Sequence, residues 1–117
     1  MANTSVIRLG GKTVALSVGT SAHSAVQMTT FTTDQVNYVS VLNTGSANVA
    51  IKFSQVSTDV AALPSDGTPG DFVLPAIMET PIIIACPPMN MQNPCYVTAI
   101  GASGTNLVYV TPCVDQS

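Results

Sequence analysis

His23 is the only histidine of the chain, and Ser21 and Ser24 flank it in the segment Gly19-Thr-Ser-Ala-His-Ser24. A base beside a hydroxyl is the starting point of nucleophilic catalysis. The template also needs a third group to orient the base and a turn that presents the nucleophile. Neighbours in sequence are not neighbours in that geometry, and no Gly-x-Ser-x-Gly elbow occurs, so His23 reads as a polar loop residue. Cys86, Cys95 and Cys113 lack Cys-x-x-Cys spacing, and His23 is far from all three, so no tetrahedral zinc set is spelled out. They read as small apolar residues of strands. Of the six acids, Asp59, Asp66, Asp71 and Glu79 lie in or beside the middle of the chain. Paired carboxylates there would suit glycoside hydrolysis, and several would suit calcium. The Asp-x-Asp-x-Asp-Gly spacing is missing, and Asp66-Gly67 and Gly70-Asp71 read as turn residues bonding nearby backbone. Gly101-Ala-Ser-Gly104 opens a strand rather than a helix and has no following Gly-Lys, so it is not a phosphate loop. The expectation is no catalytic residue, no metal and no cofactor: a protein that is not an enzyme.

Composition narrows the alternatives. At 117 residues and 12.0 kDa there is room for one domain. Charged residues are 8% of the chain, against roughly 25% in an ordinary soluble domain. Arg8, Lys12 and Lys52 are the only basic residues, too few to neutralise a row of phosphates, so nucleic acid is excluded as a charge-bound partner. A net charge of −3 with no basic cluster argues equally against an anionic membrane surface. No apolar run approaches the length of a membrane-spanning helix. Met1 to Lys12 lacks the basic-then-apolar order of a signal peptide, so assembly in a cytoplasm is expected. An odd number of cysteines in that setting favours free thiols over a Cys86–Cys95 bridge.

The elements that must position these residues are strands. Helix formers are scarce, while Thr, Val, Gly and Pro recur at short intervals. One helical turn is expected, Thr58 to Leu63, stopped by Pro64. Val14, Leu16 and Val18 alternate with Thr13, Ala15 and Ser17, and Val49, Ile51 and Phe53 alternate with Ala50, Lys52 and Ser54. A period of two buries one face of each strand. Val36–Asn43 and Ile82–Cys86 are apolar on both faces, which predicts a second sheet on one face and a loop, arm or neighbouring subunit on the other. Eight strands are expected, over 13–18, 24–29, 36–43, 48–55, 71–77, 80–86, 95–101 and 105–111. The predicted fold is an all-β, jelly-roll-like antiparallel β-sandwich over 13–117, preceded by an N-terminal arm over 1–12. Tyr38 to Ile51 and Tyr96 to Tyr109 read as two hairpins, and they align at a constant offset of 58 residues. Shared turn chemistry accounts for that alignment at least as well as an old duplication. The stretch 61–71 reads as a long surface loop.

The segments Leu63-Pro-Ser-Asp-Gly-Thr-Pro-Gly-Asp-Phe-Val-Leu-Pro75 and Gly104-Thr-Asn-Leu-Val-Tyr-Val-Thr-Pro112, in a helix-poor chain with little charge, resemble small structural proteins of tailed bacteriophage virions. The resemblance covers 36–112 and is closest to head decoration, or cementing, proteins. It implies a jelly roll or related sandwich, a homotrimer, a place in the virion and the major capsid protein as partner. The alternative is a carbohydrate- or receptor-binding β-module of a phage fibre or tail. Two stretches suit a partner: the arm, through Ile7 and Leu9, and the loop 87–94, through Met89, Met91 and Asn93. Exposed methionines make adaptable contacts, although methionines at a loop tip also fold back onto a core.

Overall fold

The computed structural model describes residues 3–30, 35–90 and 92–116. They form nine strands: β1 (Asn3–Leu9), β2 (Val14–Val18), β3 (Val26–Gln27), β4 (Val36–Asn43), β5 (Val49–Ser54), β6 (Phe72–Leu74), β7 (Ile82–Met89), β8 (Tyr96–Gly101) and β9 (Asn106–Gln116). The all-β class and all eight expected strands are present. There is no helix among the described residues, and the expected turn at Thr58–Leu63 is replaced by an isolated turn in which Asp59 N–H donates to the Val56 carbonyl. β6 and β3, edge strands with a single neighbour each, are shorter than their apolar patterns.

Two strands run past the prolines that were expected to end them. β7 continues through Pro87-Pro88 as an edge strand, where missing N–H groups can face away from the ladder. β9 continues through Pro112, which falls between the stretch paired with β2 and the stretch paired with β1. There the Gly10 N–H donates to the Pro112 carbonyl. The N-terminal segment therefore departs from the arm expected of it. Residues 3–9 extend the sheet by pairing antiparallel with β9, through Ile7 opposite Asp115 and Leu9 opposite Cys113. The sequence hid this strand because its pairing is a backbone property and its side chains carry no alternation. Gly11 makes the passage possible, since a Cβ there would lie 1.9 Å from the Thr29 carbonyl oxygen.

One sheet has the order β1-β9-β4-β7, with β2 also pairing β9; the other has the order β3-β8-β5-β6. All pairings are antiparallel, including the long β4–β9 and β5–β8 ladders. Between the sheets lies one apolar core, built from Leu16, Val18, Val39, Val41, Val49, Ile51, Leu74, Val97, Val108 and Val110 among others. This is the buried half of the period-two pattern. The two expected hairpins are corrected. β4 and β5 lie in different sheets, as do β8 and β9. Each Gly- and Ser-containing turn is an arch that carries the chain across the core, so β4 pairs with β9 and β5 with β8 instead.

Two buried asparagines hold the arches. Asn106 Oδ1 accepts the Ala47 N–H at 3.0 Å, and Asn43 Nδ2 donates to the Ala47 carbonyl at 2.9 Å. Both backbone groups of one arch residue are thus satisfied by side chains. Asn43 Nδ2 also donates to the Pro75 carbonyl and its Oδ1 accepts the Gly45 N–H, while Asn106 Nδ2 donates to the Ser103 carbonyl. Gly45 is required at the crossing, since a Cβ would lie 2.1 Å from Asn106 Oδ1. Every buried side-chain nitrogen and oxygen among the described residues has a partner. Truncating Asn106 leaves the Ala47 N–H buried and unpaired. Asn106→Ala should lower the unfolding free energy by about 2–3 kcal/mol, whereas Asn48→Ala, at an exposed position, should cost under about 1 kcal/mol. Urea denaturation of the two variants checks the difference.

Candidate interaction surface

The residues expected to meet a partner do not form one patch. Leu9 is 67% exposed on β1, while Met89 is on β7, at the opposite edge of the same sheet with β9 and β4 between. Met89 corrects its expectation. It is 1% exposed and belongs to the core, because β7 continues past the prolines and turns this side chain inward opposite Val36. Asn93 is exposed, but its backbone N–H and its carbonyl are both engaged with Asn90 in a turn. Met91 lies outside the described residues, as does the side chain of Ile7.

The exposed apolar surface is elsewhere. Phe72 and Val73 on β6, Ile82 and Ile83 on β7, and Ile77 between the two strands are all large and exposed. β6 and β7 are edge strands of the two sheets on the same side of the sandwich. Between them opens a groove of about 470 Å³ with walls of Ile51, Phe53, Phe72, Ile84 and Pro87, and with Lys52 and Asp71 supplying the charge. Ile77 adds a backbone signal: at φ 53° it is a β-branched residue in the left-handed region. Its N–H donates to the Gly45 carbonyl and the next N–H, of Met78, to the Asn43 carbonyl. The arch thereby holds an apolar side chain outward, 69% exposed. The apolar run Ile82–Cys86 was the sequence signal for this surface. It was expected to be covered on both faces, and within the chain it is not.

The groups considered for chemistry are engaged structurally. His23 Nδ1 lies 2.7 Å from the Ser24 carbonyl oxygen. Thr98 Oγ1 donates to the His23 carbonyl and accepts the Ala61 N–H, tying two loops to the outer face of β8. The loop acids serve as turn residues, as their neighbours suggested. Asp71 Oδ2 accepts the Ala62 N–H, Asp59 Oδ2 accepts from Ser54 Oγ, and Asp66-Gly67 forms the tip between Ser65 and Thr68. Among the described residues, no three His, Cys, Asp or Glu side chains converge as a metal site would require. Comparison with protein-family models, with curated proteins and with solved structures found no match.

The three cysteines are free thiols, Cys95 and Cys113 buried and Cys86 half-buried. Burial, together with the neighbouring Cys95 and Cys113, pushes the Cys86 thiol up to about 12. Burial also raises Cys95 and Cys113, against backbone hydrogen bonds that lower them. A thiol is neutral below its pKa, so the native protein disfavours the thiolate that reacts. Unfolded thiols ionise near pH 8.5. The stability they contribute is present below that pH and is lost as pH rises toward the raised native values. The denaturation midpoint should hold steady from pH 6 to about 8 and fall above about 9. At pH 8 a thiol reagent should modify the native chain far more slowly than the unfolded one, and rapid native modification of two or more thiols would contradict this.

Proposed function

We propose that this protein is a non-enzymatic structural protein of a tailed-bacteriophage virion, assembled in the host cytoplasm, that decorates or cements the capsid by binding the major capsid protein and copies of itself. The observation that carries the reading is the pairing of nine charged residues in 117 with large exposed apolar side chains on the β6–β7 side. The cores of protein interfaces are depleted of charge. A protein that functions by being packed against neighbours needs such surface and no reactive group. The strand order also supports the jelly-roll form of the sandwich. With β1 and β2 taken as one edge, the chain crosses between the sheets at every connection except β5 to β6, the wrapping pattern of a double-sheet roll.

Apolar contacts and uncharged hydrogen bonds depend weakly on salt, because screening acts on charges. The test is co-sedimentation of the full chain with capsids of the phage that encodes it, at low salt and at about 1 M, where charges are screened within about 3 Å. The protein should pellet with capsids in both conditions. Loss of attachment at high salt overturns the reading. So does binding to a glycan array with no binding to capsids, which would favour the fibre or tail module.

A further inference from the structure

We infer that the free edge of β7 is a self-association surface, occupied by β7 of a second copy running antiparallel to it, so that the β1-β9-β4-β7 sheets of two chains become one. This deepens the self-association part of the proposed function and rests on that reading only for its purpose. An edge strand presents a row of unpaired N–H and C=O groups, and natural sheets blunt such edges with charges, prolines, bulges, covers or very short strands. Three of the four edges here are managed in that way. On the far side the edge is formed by β2, of five residues, and by β1, which carries Arg8 and an irregular register between Asn3 and Ile7, while β3 and β6 have two and three residues. β7 has eight residues, and only its second half carries protection, in Pro87-Pro88 and in the irregularity opposite them at Val36/Tyr38. The first half, Ile82-Ile83-Ile84-Ala85, has no charge, no proline and a regular register with β4. Ile82 and Ile83 are exposed.

The chemistry of the edge specifies its occupant. A row of backbone donors and acceptors is fully paired only by another extended backbone. Side chains apolar on both faces call for a strand that is also apolar on both faces and uncharged. β7 is itself such a strand, and a two-fold axis across the edge sets Ile82–Ala85 against its own copy. Lys52 and Asp71 in the adjoining groove are opposite in sign, and the exposed Glu79 lies three residues before Ile82, outside the stretch that the axis pairs. The product is a two-fold pair, in contrast to the three-fold assembly that the phage resemblance implies.

The experiment uses the isolated full chain, without capsids, so its outcome is independent of capsid attachment. Sedimentation equilibrium should give the mass of two chains for the natural protein. Ile83→Lys places two like charges close together across the axis at an exposed position, and should give the mass of one chain with an unchanged circular dichroism spectrum. Leu9→Lys, at an exposed apolar site on the far edge, should still give two. Hydrogen exchange should show the outward-facing amides of 82–85, those not donated to β4, protected in concentrated natural protein and losing that protection on dilution, a readout that needs no variant. A one-chain or three-chain mass for the natural protein, a two-chain mass for Ile83→Lys, or exchange of the outward-facing amides of 82–85 that ignores dilution each overturns the proposal.

Discussion

A chain that crosses repeatedly between two sheets leaves arch backbone at the end of the core, where no ladder reaches it and burial forbids leaving it unpaired. Here side-chain amides satisfy that demand. Ala47 is gripped from both sides, its N–H by Asn106 and its carbonyl by Asn43. Those two residues sit at the start of β9 and the end of β4, so the clamp joins the arch to strands that form one of the two longest ladders of the fold. The same end gathers three further crossings. Gly101 N–H donates to the Gly19 carbonyl, Ala102 N–H to the Asn48 carbonyl, and Met78 N–H to the Asn43 carbonyl. With the arches anchored, β4 and β5 are committed to different sheets and the core between them closes.

That commitment also decides where the surface is left open. β6 and β7 follow one another in sequence and end opposite sheets on the same side of the sandwich. Their apolar residues therefore line an unclosed flank with a groove between them, instead of completing the core. The outward-held Ile77 belongs to the crossing between these strands, and its conformation is maintained by the arch it bonds to. Scarcity of charge gives this flank its character. Desolvating it against a neighbour removes few charges from water, so association depends on apolar area and backbone pairing.

The strands themselves were legible because alternation is local. Val14-Leu16-Val18 and Val49-Ile51-Phe53 sort into buried and exposed sets without reference to any partner, and their boundaries fall within a residue of those expected. The turn position of Asp66, the backbone bond of Asp71 and the apolar setting of the cysteines were legible for the same reason, since turn chemistry and small apolar side chains act over a few residues. β1 was not legible, because it is held by backbone pairing to a strand more than a hundred residues away. Met89 was misplaced because prolines end a central strand but not an edge strand, and edge position is not written in the residues nearby.

The amino-acid sequence by itself determined the class of the fold, the positions of eight of the nine strands, the free thiols and a surface poor in charge, all of which follow from residue type and a period of two. Tertiary structure alone decided which strands are neighbours. A tight hairpin and an arch between sheets call on the same Gly, Ser and Asn at the turn. What separates them is whether a distant side chain, here Asn106 reaching Ala47, satisfies the arch. Tertiary structure likewise decided that the apolar run Ile82–Cys86 ends a sheet instead of lying covered within one, because an edge is defined by the absence of a neighbour, and neighbours are set by the whole path of the chain.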